Sequence, residues 1–405
     1  MGVLMLIIAF CCPGVLDGFA QGAVVFTNAN VIDGVTERVV EGATVIVREG
    51  RIESVETGAA AVPEGAEVID IEGRYLLPGY IDAHMHIAGI EAAERALASG
   101  VTTARSASTG GYQDVALREL VREGGLAGPE ILAAGTFVTP DLGNRMLADA
   151  RLVTLHEGVT SEEALRHLVR VNLDRGADVI KSRATERAGL PNTDPRRQVY
   201  TEEQLRIIVD EAAKGGAPVM VHAHGDEGAR AAVRAGVRSI EHGTYLSDET
   251  LALMKAQGTF LVPTYTIVID LIEPGGEYDN PTLRIRGQHM QPNLAASVRK
   301  AHALGIPIAT STDSGYGPES LARVGTEMMH FADLGMTPFE AIQAATTVAA
   351  DLLGVADRTG RIAPGYEADL VVVNDNPLRD IRVVQDVVLV MSNGRIGMNR
   401  LPFGK

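Results

Sequence analysis

The stretch YIDAHMHI, residues 80–87, lies where a β-rich amino-terminal region gives way to repeated strand and helix patterns. Its apolar run is typical of a buried strand, and His84 and His86 are two positions apart near its end. Side chains two apart on a strand point to the same face, so both imidazoles can reach one metal ion. Chance alternation would produce the same pattern, so the interpretation depends on the rest of the chain.

Short apolar runs alternate with amphipathic helical patterns through residues 79–363. The run ADVIK precedes TEEQLRIIVDEAAKGG, for example, which begins at a good N-cap, Thr201, and ends at a Gly-Gly pair. Repeated strand–helix units predict a parallel sheet, and their number favours a closed (β/α)8 barrel over an open sheet. We find no glycine-rich dinucleotide fingerprint after a strand, which removes the main reason to prefer a Rossmann fold.

Both ends of the chain have sequence patterns typical of β-strands and hairpins. Residues 23–78 contain hairpin patterns such as GATVIVREGRIESVE, and residues 364–405 contain VQDVVLVMSNGRIG, in which Asn393-Gly394 marks a tight turn. We therefore predict an α/β protein in which a TIM barrel, residues 79–363, is inserted into a small β-sandwich. That sandwich is built from residues 23–78 and 364–405 together.

Residues 1–22 contain an apolar stretch, VLMLIIAFCC, and a small-x-small sequence at Gly18–Ala20 that resembles a cleavage site. No Lys or Arg precedes the stretch, so a cleaved secretory signal and an irregular tail are both compatible with it. The stretch is too short to span a bilayer, and we expect no membrane contact in the mature form. The protein is then cytoplasmic or, with a cleaved signal, periplasmic or secreted. The only cysteines, Cys11 and Cys12, cannot staple the fold.

The charge balance excludes one class of partner. The 405 residues include 36 basic and 52 acidic side chains, for a net charge of −16, which opposes binding to a phosphate backbone. Trp is absent and aromatic residues make up 4%, so stacking on single-stranded nucleic acid is also poorly supported. We expect a small-molecule substrate and no nucleic-acid partner.

Further side chains of metal-ligand type follow other apolar runs. Lys181 follows ADVI, His222 follows PVMV, His242 ends SIEH, and Asp313 lies in IATSTDSG. Functional groups of a barrel lie at the carboxyl ends of its strands. Each residue alone has an ordinary explanation, such as a buried structural histidine, a turn aspartate, or a salt bridge between Glu241 and His242. Five strand ends that all carry such residues predict a metal site.

The order of several motifs resembles that of the amidohydrolase superfamily of binuclear metal-dependent hydrolases, and especially its imidazolonepropionase-like and prolidase-like branch. The resemblance covers nearly the whole chain after residue 23. The motifs are LPGYIDAHMH, GVTTAR, GADVIK, VHAHG, SIEHG, STDSG and TGRIAPGYEADLVVV. It implies two divalent metal ions, with zinc as the expected metal. His84, His86 and Asp313 would hold the more buried ion, and His222 and His242 the second.

The resemblance also implies that Lys181 is carboxylated and bridges both metals. A carbamate supplies two oxygens and a negative charge, whereas a free ammonium repels a cation. Imidazole and carboxylate-type oxygen suit zinc, and two such ions can share a hydroxide and polarise a carbonyl. Asp313 would then act as the catalytic residue that moves the proton. The resemblance further suggests a homo-oligomer.

The implied reaction is hydrolysis of an amide-like C–N bond in a dipeptide, N-acyl amino acid, urea or carbamate. Hydrolysis of lactones or organophosphate esters is the alternative, because the same hydroxide would attack them. Deamination is disfavoured because relatives with one metal generally lack the lysine. A catalytically inactive scaffold is disfavoured because the ligand set is complete.

The chain departs from its relatives in regions that shape the pocket. Ser106 follows the retained Arg105 where many relatives have Asp, and RATERAGLPNTDPRRQVY replaces a glycine-rich loop after the lysine. The substrate therefore stays open. Four residues are candidate substrate contacts, although packing at the barrel mouth or a pair with Glu186 would also explain some of them. They are His224, Tyr245, Tyr265 and Arg183.

Overall fold

The amino-terminal strands form the first part of a sheet in the computed structural model, which describes residues 22–276, 278–317 and 323–401. The predicted signal or tail therefore lies outside the described residues, apart from Gly22. The strands are β1 (Val24–Ile32), β2 (Val39–Arg48), β3 (Arg51–Glu56), β4 (Glu67–Asp70) and β5 (Tyr75–Pro78). β1 pairs antiparallel with β2, and β2 pairs with β3 across a turn at Glu49 and Gly50, which both have positive φ.

Seven parallel strands and one extended segment build the barrel in the described part of the chain. The strands are β6 (Tyr80–Met85), β7 (Val101–Ser106), β8 (Glu130–Leu132), β9 (Ile180–Arg183), β10 (Val219–Ala223), β11 (Ser239–His242) and β12 (Phe260–Val262). They pair as β6-β7-β8 and as β9-β10-β11-β12. Val138 N donates to Lys181 O and closes the gap after β8. Residues 306–314 take the eighth place, since Ala309 N bonds to β12 and Ala83 N bonds to Thr310 O.

Helices pack around this barrel. In the described part of the chain they are α1 (Ile90–Ala98), α2 (Gln113–Arg122), α3 (Glu162–Asp174), α4 (Glu202–Lys214), α5 (Asp226–Ala235), α6 (Asp248–Gln257), α7 (Tyr265–Asp270), α8 (Pro281–Leu304), α9 (Arg323–Asp333), α10 (Pro338–Ala344) and α11 (Thr347–Leu353). α4 begins at the predicted N-cap, because Thr201 forms a capping box with Gln204, and it ends at Gly215. None of the described helices is long and apolar enough to cross a membrane.

The carboxyl-terminal strands complete the first sheet. They are β13 (Leu370–Val373), β14 (Val387–Ser392) and β15 (Arg395–Asn399), and they give the order β15-β14-β13-β5-β1-β2-β3, with β4 beside β1. Asn393 and Gly394 have φ of 49° and 73°, which is the turn conformation that the Asn-Gly pair predicted. Buried side chains from both ends, such as Phe26 and Leu370, share one apolar core. The predicted α/β barrel with a terminal β domain is therefore confirmed.

The domain boundaries stay a prediction. The first, between residues 78 and 79, falls in the short connection from β5 to β6, and the second, between residues 363 and 364, falls between α11 and β13. Buried polar contacts join the barrel to the terminal sheet near the second boundary. Asp369 accepts hydrogen bonds from the Thr359 hydroxyl and from Asn393 N.

Candidate metal centre

Side chains from the carboxyl ends of the barrel strands converge on one cavity of about 330 Å³. They are the candidate ligands of the sequence analysis, His84, His86, Lys181, His222, His242 and Asp313, together with His224. Parallel register explains much of the convergence, because Met220 lies beside Lys181 and Ser239, and His222 lies beside Glu241. Residues paired in this way point to the same side, so one face of three adjacent strands is turned into the barrel.

The possible ligand atoms fall into two groups of three. One group is His84, His86 and Asp313, and the other is His222, His224 and His242; within each group the atoms lie within 4.8 Å of one another. Asp313 Oδ1 is 3.2 Å from His84 Nε2 and 3.0 Å from His86 Nε2. Imidazole nitrogens with one carboxylate oxygen are donors that suit zinc and similar divalent cations. The geometry therefore fits a metal centre.

The hydrogen-bond partners of His84 and His86 fix which ring nitrogen is free. Nδ1 of His84 lies 2.6 Å from Glu241 Oε2, and Nδ1 of His86 lies 2.7 Å from Ser108 O. A carboxylate at Glu241 and a carbonyl oxygen only accept, so both Nδ1 atoms carry the hydrogen. In the neutral form of each ring, Nε2 then has a lone pair on the side of Asp313, which is the arrangement that second-sphere partners give to metal-bound histidine.

His222 and His242 are oriented in the same way. Nε2 of His222 donates to Glu186 O at 3.0 Å, which leaves its Nδ1 bare. Nδ1 of His242 lies 2.7 Å from the Thr264 hydroxyl, and that hydroxyl donates to Pro263 O. The hydroxyl therefore accepts from His242, and Nε2 of His242 keeps its lone pair. Burial lowers the pKa of both rings well below the usual range, so they are neutral.

His224 differs from these four rings. Its Nδ1 lies 2.8 Å from the Thr244 hydroxyl, which has no other hydrogen-bond partner in the described part of the chain. A hydroxyl can donate as well as accept, so the protein does not fix the tautomer of His224. The hydrogen can therefore be on Nε2, from which this ring can donate to a ligand. Burial lowers the pKa of His224 to about 3.

Lys181 is a buried cation without a counter-ion. Its side chain is 2% exposed, its Nζ lies 3.4 Å from His84 Nε2, and no described carboxylate forms an ion pair with it. Burial lowers the pKa of Lys181 to about 8. An unpaired ammonium among imidazoles is electrostatically unfavourable, so this position favours a neutral or chemically modified amine.

Several backbones around the cavity are in the left-handed region. Ser108, His242, Thr264 and Asp313 have φ of 88°, 72°, 49° and 51°. Such conformations cost roughly 1–3 kcal/mol each and persist where the surroundings hold them, most often at functional sites. The turn at His242 also explains how adjacent residues Glu241 and His242 both reach the centre, since a regular strand would point them to opposite faces.

Two buried carboxylates among the described residues support the centre, and neither was predicted from the sequence to do so. Glu241 bonds to His84, to Arg105 Nη2 at 3.0 Å and to the Ser239 hydroxyl. Asp82 accepts from His84 N at 3.1 Å, and also from Thr312 and from the Tyr316 hydroxyl. The alternation of side chains along a strand could have indicated both, because residues two apart point to the same face. Asp82 shares a face with His84, and Glu241 shares one with Ser239.

The wall above the centre combines two arginines with apolar side chains. Arg145 and Arg187 line the cavity, as do Phe137, Ile267, Val268, Leu271 and Tyr278. The sequence did not indicate any of them, since they lie on loops, on a 3-10 helix (Gly143–Ala148) or on the short α7.

Three of the candidate substrate contacts do not line this cavity. The Tyr245 hydroxyl bonds to His289, the Tyr265 ring packs against His330, and Arg183 is absent from the lining. Contact of these three with a substrate stays a prediction.

Comparison with known proteins gives concordant matches. The model of the amidohydrolase family matches residues 75–397. Ochratoxinase of Aspergillus niger is 29% identical over 353 residues, which cover 77% of this chain and 72% of the relative. Imidazolonepropionase of Chromobacterium violaceum is 28% identical over 365 residues, with 81% and 84% covered. The crystal structure of a Xaa-Pro dipeptidase with methionine bound in its active site superimposes with a TM-score of 0.83 at 28% identity, covering 93% of this chain and 99% of the dipeptidase.

Proposed function

The chain belongs to the amidohydrolase family, and from that premise we propose that it is a metal-dependent hydrolase of an amide-like C–N bond in a small molecule. Dipeptides, N-acyl amino acids, ureas and carbamates are the candidate substrates. The observation that carries the proposal is the convergence of two groups of possible ligands around the buried Lys181. The likeness to a Xaa-Pro dipeptidase supports an amide as the scissile group.

We assign two divalent ions, with zinc as the expected metal, to the residues that the sequence named. His84, His86 and Asp313 would hold one ion, and His222 and His242 the other. Carboxylated Lys181 would bridge them. The fixed tautomers of the four histidines and the missing counter-ion of Lys181 support this assignment. When bound, such ions lower the pKa of a water molecule and polarise a carbonyl.

The protein's own groups then have distinct roles. Burial opposes ionisation of Asp313, but the imidazoles of His84 and His86, 3.2 Å and 3.0 Å from its Oδ1, outweigh it and hold the pKa of Asp313 well below its usual value. Asp313 is 20% exposed at the cavity, where its carboxylate is proposed to take a proton from the attacking water and pass it to the leaving nitrogen. His224 is proposed to donate a hydrogen bond to the substrate carbonyl from Nε2.

Turnover of matched amide and ester substrates by the metal-loaded protein tests the proposal. We expect hydrolysis of an N-acyl amino acid, and loss of both turnover and bound metal in Lys181→Ala. Lys300→Ala, which alters an exposed lysine of α8, is the matched control and should retain both. Full activity of Lys181→Ala would overturn the proposal, and a strong preference for the ester would favour the lactone or organophosphate alternative.

A further inference from the structure

Three arginines near the cavity lack counter-ions although the protein is acidic. The side chains of Arg145, Arg183 and Arg187 form no ion pair and no hydrogen bond with any described residue. Arginines further along the same loop are paired, Arg196 with Asp194 and Arg197 with Glu186. A net charge of −16 makes unpaired guanidinium groups in a cavity uncommon enough to need an explanation.

Arg145 is the more enclosed of the two arginines that line the cavity. Its Nε is buried without a hydrogen-bond partner. Burial and the charge of Arg187 both lower the pKa of Arg145, whereas Asp141 raises it only in part. The Asp141 carboxylate is already used, since it accepts from Gly143 N at 2.8 Å. A buried N–H donor without an acceptor and a second cation nearby are both unfavourable. An anionic ligand would accept the hydrogen bond and offset the two positive charges.

Hydrogen bonds to its backbone fix the conformation of the loop that carries Arg187. Arg286 of α8 donates to four carbonyl oxygens of this loop, those of Ala188, Leu190, Pro191 and Thr193. Glu186 accepts from Asp194 N at 2.7 Å and pairs with Arg197. A loop held by this many bonds presents Arg187 in a defined position, which reduces the entropy lost when a ligand binds.

We propose that Arg145 and Arg187 bind a carboxylate of the substrate, and that this substrate is an N-acyl derivative of an apolar amino acid. The inference rests on the proposed function, because it assigns a substrate class to the same site. A guanidinium matches a carboxylate with two parallel hydrogen bonds. The apolar lining, Phe137, Ile267, Val268, Leu271 and Tyr278, then receives the side chain next to that carboxylate.

A pair of compounds that differ only in the carboxylate tests the inference. The metal-loaded protein is assayed with N-acetyl-L-phenylalanine and with N-acetyl-2-phenylethylamine, which keeps the amide and the ring. We expect kcat/KM to be about 100-fold higher for the acid. Arg145→Met and Arg187→Met should each lower kcat/KM for the acid about 10-fold or more, mainly through KM, and should lower kcat/KM for the neutral amide much less.

Matched variants and a binding measurement separate this inference from the proposed function. Arg379→Met, at an exposed arginine of the terminal domain, should behave as wild type, and Arg145→Lys should keep part of the preference. The shift in melting temperature caused by each compound reports binding without turnover. Arginine-dependent binding of the acid without hydrolysis would support the inference and contradict the proposed reaction. The inference would be overturned if both compounds had the same kcat/KM, or if the arginine variants lowered kcat/KM for both compounds by the same factor. Absence of binding of the acid would overturn it as well.

Discussion

Nδ1 of His84 donates a 2.6 Å hydrogen bond to Glu241, and both side chains are buried in the barrel. Burial opposes ionisation of Glu241, but the charge of Arg105 and the contacts with His84 outweigh it and lower the pKa of Glu241 to about 2. Glu241 is therefore a carboxylate that orients a proposed ligand without being a ligand itself. Such partners set the tautomer of the ring and the basicity of its free nitrogen.

Glu241→Gln is predicted to weaken metal binding about 10- to 100-fold, because an amide is a poorer acceptor for Nδ1 of His84. Competition with a chelator measures the metal affinity, and the melting temperature shows how far the loss of the charge beside Arg105 affects the fold. Glu249→Gln, at an exposed position in the first turn of α6, is the control. Unchanged metal affinity in Glu241→Gln would contradict the orienting role.

His222 and His224 are predicted to differ in what their removal changes. His222→Asn should lose about one of two metal equivalents, since its bare Nδ1 is the proposed ligand atom. His224→Asn should keep both equivalents and lower kcat/KM about 10²- to 10³-fold, the usual effect of losing one donor to the reacting carbonyl. Metal content per chain and steady-state kinetics distinguish the two. Loss of metal in His224→Asn with retention in His222→Asn would reverse the assignment.

The sequence was sufficient to predict a cavity residue where the alternation of side chains along one strand decides which way that residue points. His84, His86 and Lys181 reach the cavity because apolar runs of a parallel barrel end there. His242 does so through a φ of 72°, which no alternation pattern predicts. Glu241 was identified only as a possible partner of its neighbour His242, because its contact with His84 joins strands that are 157 residues apart.

The cavity wall was beyond prediction for a different reason. Arg145 lies in a 3-10 helix and Arg187 in a loop, so neither has a periodic neighbour that would fix its direction. Tyr245 and Tyr265 follow strands and were expected at the barrel mouth. A short helix, α7, begins at Tyr265, and the ring packs against His330, which the strand pattern did not indicate.

Glu327 holds the start of α7 and, through it, the partner of His242. Its carboxylate accepts from Tyr265 N at 2.7 Å and from Thr266 N at 2.8 Å, directly after the left-handed Thr264. Glu327→Gln would point an amide N–H₂ at one of these N–H donors and leave it unsatisfied. We expect a loss of about 1–3 kcal/mol in unfolding free energy at pH 5, where Glu327 is neutral because burial raises its pKa to about 7. The loss should be smaller at pH 8, where the variant also removes a buried charge.

Glu163→Gln is the control for this prediction, since Glu163 is exposed in the first turn of α3. Urea denaturation followed by circular dichroism gives the stability of each variant. A smaller loss of metal than in Glu241→Gln is also expected, because Glu327 acts on His242 only through Thr264. Wild-type stability of Glu327→Gln would show that the helix start does not need the carboxylate.

Asp369 gives a prediction about pH, because burial raises its pKa from 3.8 to about 6 although Thr359 and Asn393 donate to it. A raised acid pKa stabilises the fold fully below the unfolded value, and this contribution is lost as pH rises through about 6. Above that pH the buried charge costs roughly 3 kcal/mol.

Asp369→Asn removes the charge and keeps both contacts, since the Thr359 hydroxyl can turn to accept. The unfolding free energy of Asp369→Asn should therefore match wild type near pH 4 and exceed it at pH 8. Asp357→Asn, at an exposed site, should show no such trend, and a constant difference across this range would contradict a buried charge at Asp369.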